Sequence, residues 1–185
     1  KPPVSFFAYP DKRSYLSPEN SKLVQLATFE QDGRKALESL CEMLNAKEIS
    51  EELLPSKTDQ TPLTGELNPS YVGSLIGELL PEEAIVSDEA ATSGFAVYPN
   101  TWNSKHHDWL SLTGGSIGQG LPVATGAAIA CPERPVICLH GDGGAMYTIQ
   151  SLWTQARESL NVTNIIFSNR AYAILKVELD RVGAL

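Results

Sequence analysis

The chain has 185 residues, three cysteines and a formal net charge of −8. That sign, and the lack of any Lys/Arg cluster, exclude a nucleic-acid surface, and no apolar run approaches the roughly 20 residues of a membrane span. The length suffices for one domain with a real core, or for one domain and part of another.

Cys41, Cys131 and Cys138 form no close pair, so neither a metal knuckle nor a disulfide framework is expected. Isolated thiols of this kind fit a reducing cytoplasm. The opening Lys1-Pro2-Pro3 has no initiator Met and no signal-peptide character, and both this end and Gly183-Ala184-Leu185 read as cuts through a longer chain.

In chain order, Pro3 to Tyr9 reads as a short strand, Asp11 to Pro18 as a loop and Leu23 to Ala27 as a second strand. Gly33 to Asn45 carries a helical stripe of Ala36, Leu37, Leu40, Met43 and Leu44. This is too little to stand alone, so residues 1–47 read as the end of a preceding domain. Residues 48–64, polar and broken by Pro55 and Pro62, read as a linker, and 65–185 as the main domain.

Asn68-Pro69 starts a helix, with Asn as the cap and Pro at the first helical position. Val72, Leu75, Ile76, Leu79 and Leu80 then share one face, and Pro81 ends it. Ala84 to Ser87 is a buried strand that delivers the loop Asp88 to Gly94, where Thr92 has a hydroxyl to offer a ligand or a following turn. Phe95 to Trp109 is aromatic and irregular, either an excursion beside a site or the lining of an interface. Its adjacent His106 and His107 point apart and make a poor chelate.

Gly115-x-x-Gly118-x-Gly120 reverses the dinucleotide fingerprint, and no acidic residue closes a following strand, so that reading is rejected. Leu121 to Ala130 continues as a small-residue helix. Val136 to Leu139 is a buried strand, and Met146 to Glu158 a helix with Ile149, Leu152, Trp153 and Ala156 turned inward. A strand over Thr163–Phe167 and a helix from Ala173 to Leu179 follow. The alternation predicts an α/β fold with a doubly wound parallel sheet.

Between strand and helix stands His140-Gly141-Asp142-Gly143-Gly144-Ala145. A strand, a glycine turn and a helix N-terminus form an anion site, because free backbone N–H groups converge there. Asp142 would repel a phosphate directly, but a divalent cation between carboxylate and diphosphate resolves the conflict. A second oxygen donor is then required from a neighbouring strand end, and Ile165-Ile166-Phe167-Ser168-Asn169 ends with one.

Gly141-Asp142-Gly143, then 24 residues, then Ser168-Asn169 resembles the thiamine-diphosphate signature, in which Gly-Asp-Gly is followed at that spacing by Asn-Asn. Leu112 to Pro122 upstream and Asn169-Arg170-Ala171-Tyr172 downstream agree. The chain is similar to the acetolactate synthase-like and benzoylformate decarboxylase-like branch of these enzymes over nearly its whole length. Ser168 stands where the family usually has its first Asn; the metal ligand is the second, so Asn169 keeps that role.

The resemblance implies thiamine diphosphate and Mg²⁺ as cofactors and a 2-oxo acid as substrate, decarboxylated or joined to a second molecule. Asp142, Asn169 and the Ala171 carbonyl would hold the metal. Gly143, Gly144 and Ala145 would give N–H groups to the phosphates, with Thr92 and Tyr172 beside them. Within Gly115-Ser116-Ile117-Gly118, the Gly115 carbonyl would accept from the aminopyrimidine and Ile117 would wedge between the cofactor rings, its stiff β-branched side chain suiting the task; the competing reading of Ile117 is an ordinary core residue.

Residues 1–47 would end a Rossmann-like middle domain, and these residues leave open whether FAD binds it. The activating glutamate would lie on an N-terminal domain that no part of this chain matches. No catalytic residue is therefore expected here, and the chain alone is expected to be inactive. A homodimer or homotetramer is implied for the whole protein. Phe7-Ala8-Tyr9 is followed by Pro10, so the catalytic His of benzoylformate decarboxylases is missing there. A non-catalytic or regulatory member, or a benzoylformate/2-hydroxyacyl-CoA-type decarboxylase or lyase, are the alternatives.

Overall fold

Ala84 to Glu89 (β1) is buried on both faces, and so a strand of this kind needs cover above and below. In the computed structural model, which describes residues 3–5, 9–47 and 67–184, it receives that cover from a parallel sheet and flanking helices. The chain divides into two compact units, residues 1–54 and 55–185.

The first unit contains the helix Gly33–Met43 (α1), capped by the Asp32 side chain, which accepts from the Lys35 N–H. The predicted strand over Leu23–Ala27 is absent. The segment runs without regular structure, and Leu23, Val24 and Leu26 are exposed, because no described strand lies alongside to take its hydrogen bonds. The expected first strand reduces to a single bridge between Val4 and Tyr15, and its residues 6–8 lie outside the described residues. The linker of residues 48–64 lies outside them too.

In the second unit, Pro69–Leu79 (α2) begins as expected: the Asn68 side chain accepts from the Tyr71 N–H and Pro69 occupies the first turn. Ile76 and Leu80 are buried on its inner face, whereas Leu79 is exposed. The sheet comprises β1, His107–Ser111 (β2), Val136–Gly141 (β3) and Val162–Phe167 (β4), all parallel, in the order β2-β1-β3-β4. The stretch read as irregular therefore ends in a strand, after two short 3₁₀ turns at Gly94–Ala96 and Tyr98–Thr101.

Side chains alternate across the sheet. Val86 and Leu139 pack on one face with Ile76, Leu80 and Val97. Ile85, Val136 and Cys138 pack on the other with Leu121, Ala124 and Ala128 of Gly120–Ala130 (α3). This two-sided cover is the doubly wound architecture.

The helix expected over Met146–Glu158 starts later than its first residue, and a separate turn precedes it. Asp142–Ala145 (α4) forms a single turn, and Gln150–Arg157 (α5) follows after a break. Its inward face also differs from expectation. Leu152 faces the core, but Trp153 is 63% exposed and Ile149 and Ala156 are exposed, while Gln155 is buried. Gln155 earns that position through hydrogen bonds: its amide donates to Thr125 Oγ1 at 3.0 Å and accepts from Asn164 at 2.7 Å. Ala173–Arg181 (α6) closes the described structure. Among the described residues, no helix is long and apolar enough to cross a membrane.

Candidate functional site

Because all four strands are parallel, the loops after them leave from one edge of the sheet. The chain order reverses between β1 and β3, which opens a crevice beyond their carboxyl ends. The loop of Thr92 follows β1, Gly115 to Gly118 follow β2, Asp142 follows β3, and Asn169 to Tyr172 follow β4. The register keeps these ends level, with Asp88 beside Ser111, Glu89 beside His140 and Gly141 beside Phe167.

Asp142 is half-buried as the first residue of α4. One carboxylate oxygen accepts from the Gly143 N–H at 3.0 Å; the other accepts from the Arg170 N–H at 3.1 Å and the Ser168 hydroxyl at 3.3 Å. The loop after β4 is thus clasped to the turn after β3. Ser168, which replaces the usual Asn, contributes directly to that clasp. Within the loop, Asn169 Oδ1 accepts from the Ala171 N–H at 2.9 Å, and Arg170 is held at φ 51°, a costly conformation for a residue with a side chain.

The chemistry of this group suits a hard divalent cation: a carboxylate, a side-chain amide oxygen and a nearby backbone carbonyl are all oxygen donors. A Cβ at Gly143 would meet the Tyr172 ring at 3.7 Å, so backbone and phenol are in contact there. The neighbouring Tyr147 phenol hydrogen-bonds Tyr172 and pushes its hydroxyl pKa up. Glu82, Glu83 and His106 also gather, but they are exposed and lie before β1 and β2, at the other end of the strands.

The Gly115 to Gly118 loop is shaped by positive φ at Gly114, Gly115 and Gly118. Ile117 is 47% exposed and so lies outside the core of this unit. The Gly115 carbonyl accepts from the Ile117 N–H at 2.9 Å and retains a second lone pair. Thr92 is half-buried in a turn, and the following Ser93 makes no side-chain cap bond.

The sequence reading missed Glu89. Assigned there to a loop, it is the last residue of β1 and only 5% exposed. Its Oε1 accepts from the Gly118 N–H at 2.5 Å and its Oε2 from the Gly120 N–H at 2.6 Å. Oε2 also lies 3.0 Å from His140 Nε2, an ion-pair distance without good hydrogen-bond alignment. Burial pushes the Glu89 carboxyl up, but His140 and the two N–H groups together outweigh it and hold the pKa below the usual range. The available signal was an acid ending a buried strand, since such residues are almost never buried without partners.

Glycines allow this pair its place. A Cβ at Gly120 would lie 2.8 Å from His140 Cδ2 and 2.9 Å from Glu89 Cβ, and one at Gly144 would lie 3.0 Å from Glu89 Oε1. Two further bonds hold the same loop: Ser87 Oγ donates to the Gly120 carbonyl at 2.9 Å, and Thr148 Oγ1 to that of Gly118 at 2.7 Å.

Residues 91–184 match the family model described as thiamine pyrophosphate enzyme, C-terminal TPP binding domain. The chain belongs to the thiamine pyrophosphate enzymes. Among relatives, the chain is 48% identical over 183 residues to IlvX of Mycobacterium tuberculosis, a protein named for the acetolactate synthase large subunit; the match covers 98% of this chain and 35% of that one. It is 33% identical over 125 residues to the benzoylformate decarboxylase of Pseudomonas aeruginosa, covering 68% of this chain and 24% of the relative. Among solved thiamine pyrophosphate enzymes, the 4-hydroxybenzoylformate decarboxylase of Rhodococcus jostii superposes with a TM-score of 0.66 at 28% identity, covering 80% of this chain and 28% of that one. The chain spans about a third or less of the length of these proteins.

Proposed function

We propose that the chain supplies the diphosphate- and Mg²⁺-binding half of a thiamine-diphosphate site in an enzyme acting on 2-oxo acids, of the acetolactate synthase-like kind. The observation that carries this reading is the clasp of Asp142 to the Ser168–Arg170 loop, which gathers oxygen donors at the carboxyl end of β3 and β4. Asp142, Asn169 and the Ala171 carbonyl would hold Mg²⁺. Gly143, Gly144, Ala145 and Thr92 would meet the diphosphate, and Tyr172 would pack beside it. Gly115, Ser116, Ile117 and Gly118 would receive the ring portion.

When bound, thiamine diphosphate supplies the electron sink that 2-oxo acid decarboxylation needs. The chain's own work is to neutralise the diphosphate charge and fix the ring portion against the Gly115–Gly118 loop. The exposure of Ile117 supports its use as a wedge. The missing N-terminal glutamate would come from elsewhere in a homodimeric or homotetrameric cytoplasmic enzyme, with residues 1–47 ending its middle domain, 48–64 linking and 65–185 binding cofactor. Decarboxylation without carboligation is the second reading, supported by the likeness to the 4-hydroxybenzoylformate decarboxylase.

Calorimetric titration with thiamine diphosphate, with and without Mg²⁺, tests the assignment beside Asp142→Ala. Heat that requires Mg²⁺ and disappears in the variant is expected. Binding that ignores the metal would overturn it.

A further inference from the structure

We infer that Glu89 is a positioning residue that fixes the Gly115–Gly118 loop relative to the Asp142–Ala145 turn. The inference rests on the cofactor reading above. One carboxylate reaches both segments. Its two oxygens accept the N–H groups of Gly118 and Gly120, the two ends of the last bend of the ring-side loop. The same group lies 3.0 Å from His140 Nε2, two residues before Asp142, and 3.0 Å from where a Cβ on Gly144, inside the turn, would stand. Side chains between these segments are excluded, because any Cβ at Gly120 or Gly144 would strike the pair. The distance from ring-side loop to diphosphate-side turn is therefore held by this buried carboxylate, with the Thr148 hydroxyl on the Gly118 carbonyl beside it.

A bent cofactor that touches both segments depends on that distance; a ligand that touches only the turn does not. Two buried N–H groups also need two acceptor oxygens, and a carboxylate supplies both where a carboxamide supplies one. In Glu89→Gln the amide NH₂ faces one of the two glycine N–H groups, donor against donor, and leaves it unpaired.

The experiment compares thiamine diphosphate with inorganic pyrophosphate, each titrated calorimetrically with Mg²⁺ into the unaltered chain and into Glu89→Gln. The expected result is a loss of about tenfold or more in thiamine diphosphate affinity, with pyrophosphate affinity unchanged within about twofold. Hydrogen exchange should rise over residues 113–120 and stay constant over 142–145. Unchanged thiamine diphosphate affinity, or equal loss of both ligands, would overturn the inference, the second outcome reducing Glu89 to a general support of the fold. If the unaltered chain binds neither ligand, the cofactor reading falls and this inference with it. Should Glu89→Gln not fold, Glu89→Asp keeps both acceptor oxygens but withdraws them by one methylene from the Gly118 and Gly120 N–H groups. It should weaken thiamine diphosphate a few-fold and spare pyrophosphate, and no change would overturn the inference equally.

Discussion

The Asp142 carboxylate accepts the backbone N–H of Arg170, 28 residues further along the chain, at 3.1 Å. A side chain at one strand end thereby fixes the backbone of the next loop, and the geometry depends on the peptide group of Arg170 rather than on its guanidinium.

That distinction separates two substitutions. Arg170→Gly keeps the N–H and relieves the positive φ, so Mg²⁺-dependent pyrophosphate binding should persist with equal or greater stability. Arg170→Pro removes the N–H and forces φ to about −65°, so binding should fall by about tenfold or more. Paired calorimetric titrations check this, and equal behaviour of the two variants would show that the clasp does not govern binding.

Leu139 is fully buried beside Leu80 and Val86 and stands directly before His140. Leu139→Ala should cost about 2–5 kcal/mol through lost transfer and an unfilled cavity. Urea unfolding followed by circular dichroism gives the value, and a cost under about 1 kcal/mol would contradict the packing described.

Gly118 sits at φ 94°, and a Cβ there would lie 2.7 Å from Tyr147 Cβ. Gly118→Ala should therefore lose about 1–3 kcal/mol of stability through strain and displacement of the 147–148 turn. A thermal midpoint equal to that of the unaltered chain would show that the loop takes another conformation.

Burial pushes the Cys138 thiol up to about 12, with Glu89 and Asp88 adding to it. The folded pKa exceeds that of the unfolded thiol, so this contribution to stability is complete below pH 9 or so and fades as pH rises toward 12. Alkylation at pH 8 should spare Cys138 and modify the exposed Cys41, as peptide mapping by mass spectrometry would record. Rapid labelling of Cys138 in the folded chain would contradict its burial.

Much of this was legible from residue order. Val136 to Leu139 is apolar throughout and could only be an interior strand, and the glycine turn after it announced itself. Asn68-Pro69 marked a helix start that α2 obeys. The failures have a common physical source. Leu23 to Ala27 has strand-like residues but no described partner, and a strand is a property of a pair. Gln155 is buried because Thr125 and Asn164 meet it, which a hydrophobic stripe cannot encode. Glu89 was misread for the same reason: its partners lie about 30 residues away and more, on two other segments.

The strand order carries a consequence for synthesis. β1 lies in the middle of the sheet, yet one of its two neighbours, β3, emerges from the ribosome roughly 50 residues later, a delay on the order of 2.5 to 10 s at ordinary elongation rates. During that interval the β3-facing side of β1 has no strand to bond, and Glu89 lacks His140 throughout and the Gly118 and Gly120 amides for roughly the first 30 residues of it. The nascent chain thus carries an apolar strand tipped by two acids, Asp88 and Glu89, whose charge guards it against premature pairing until its partner arrives.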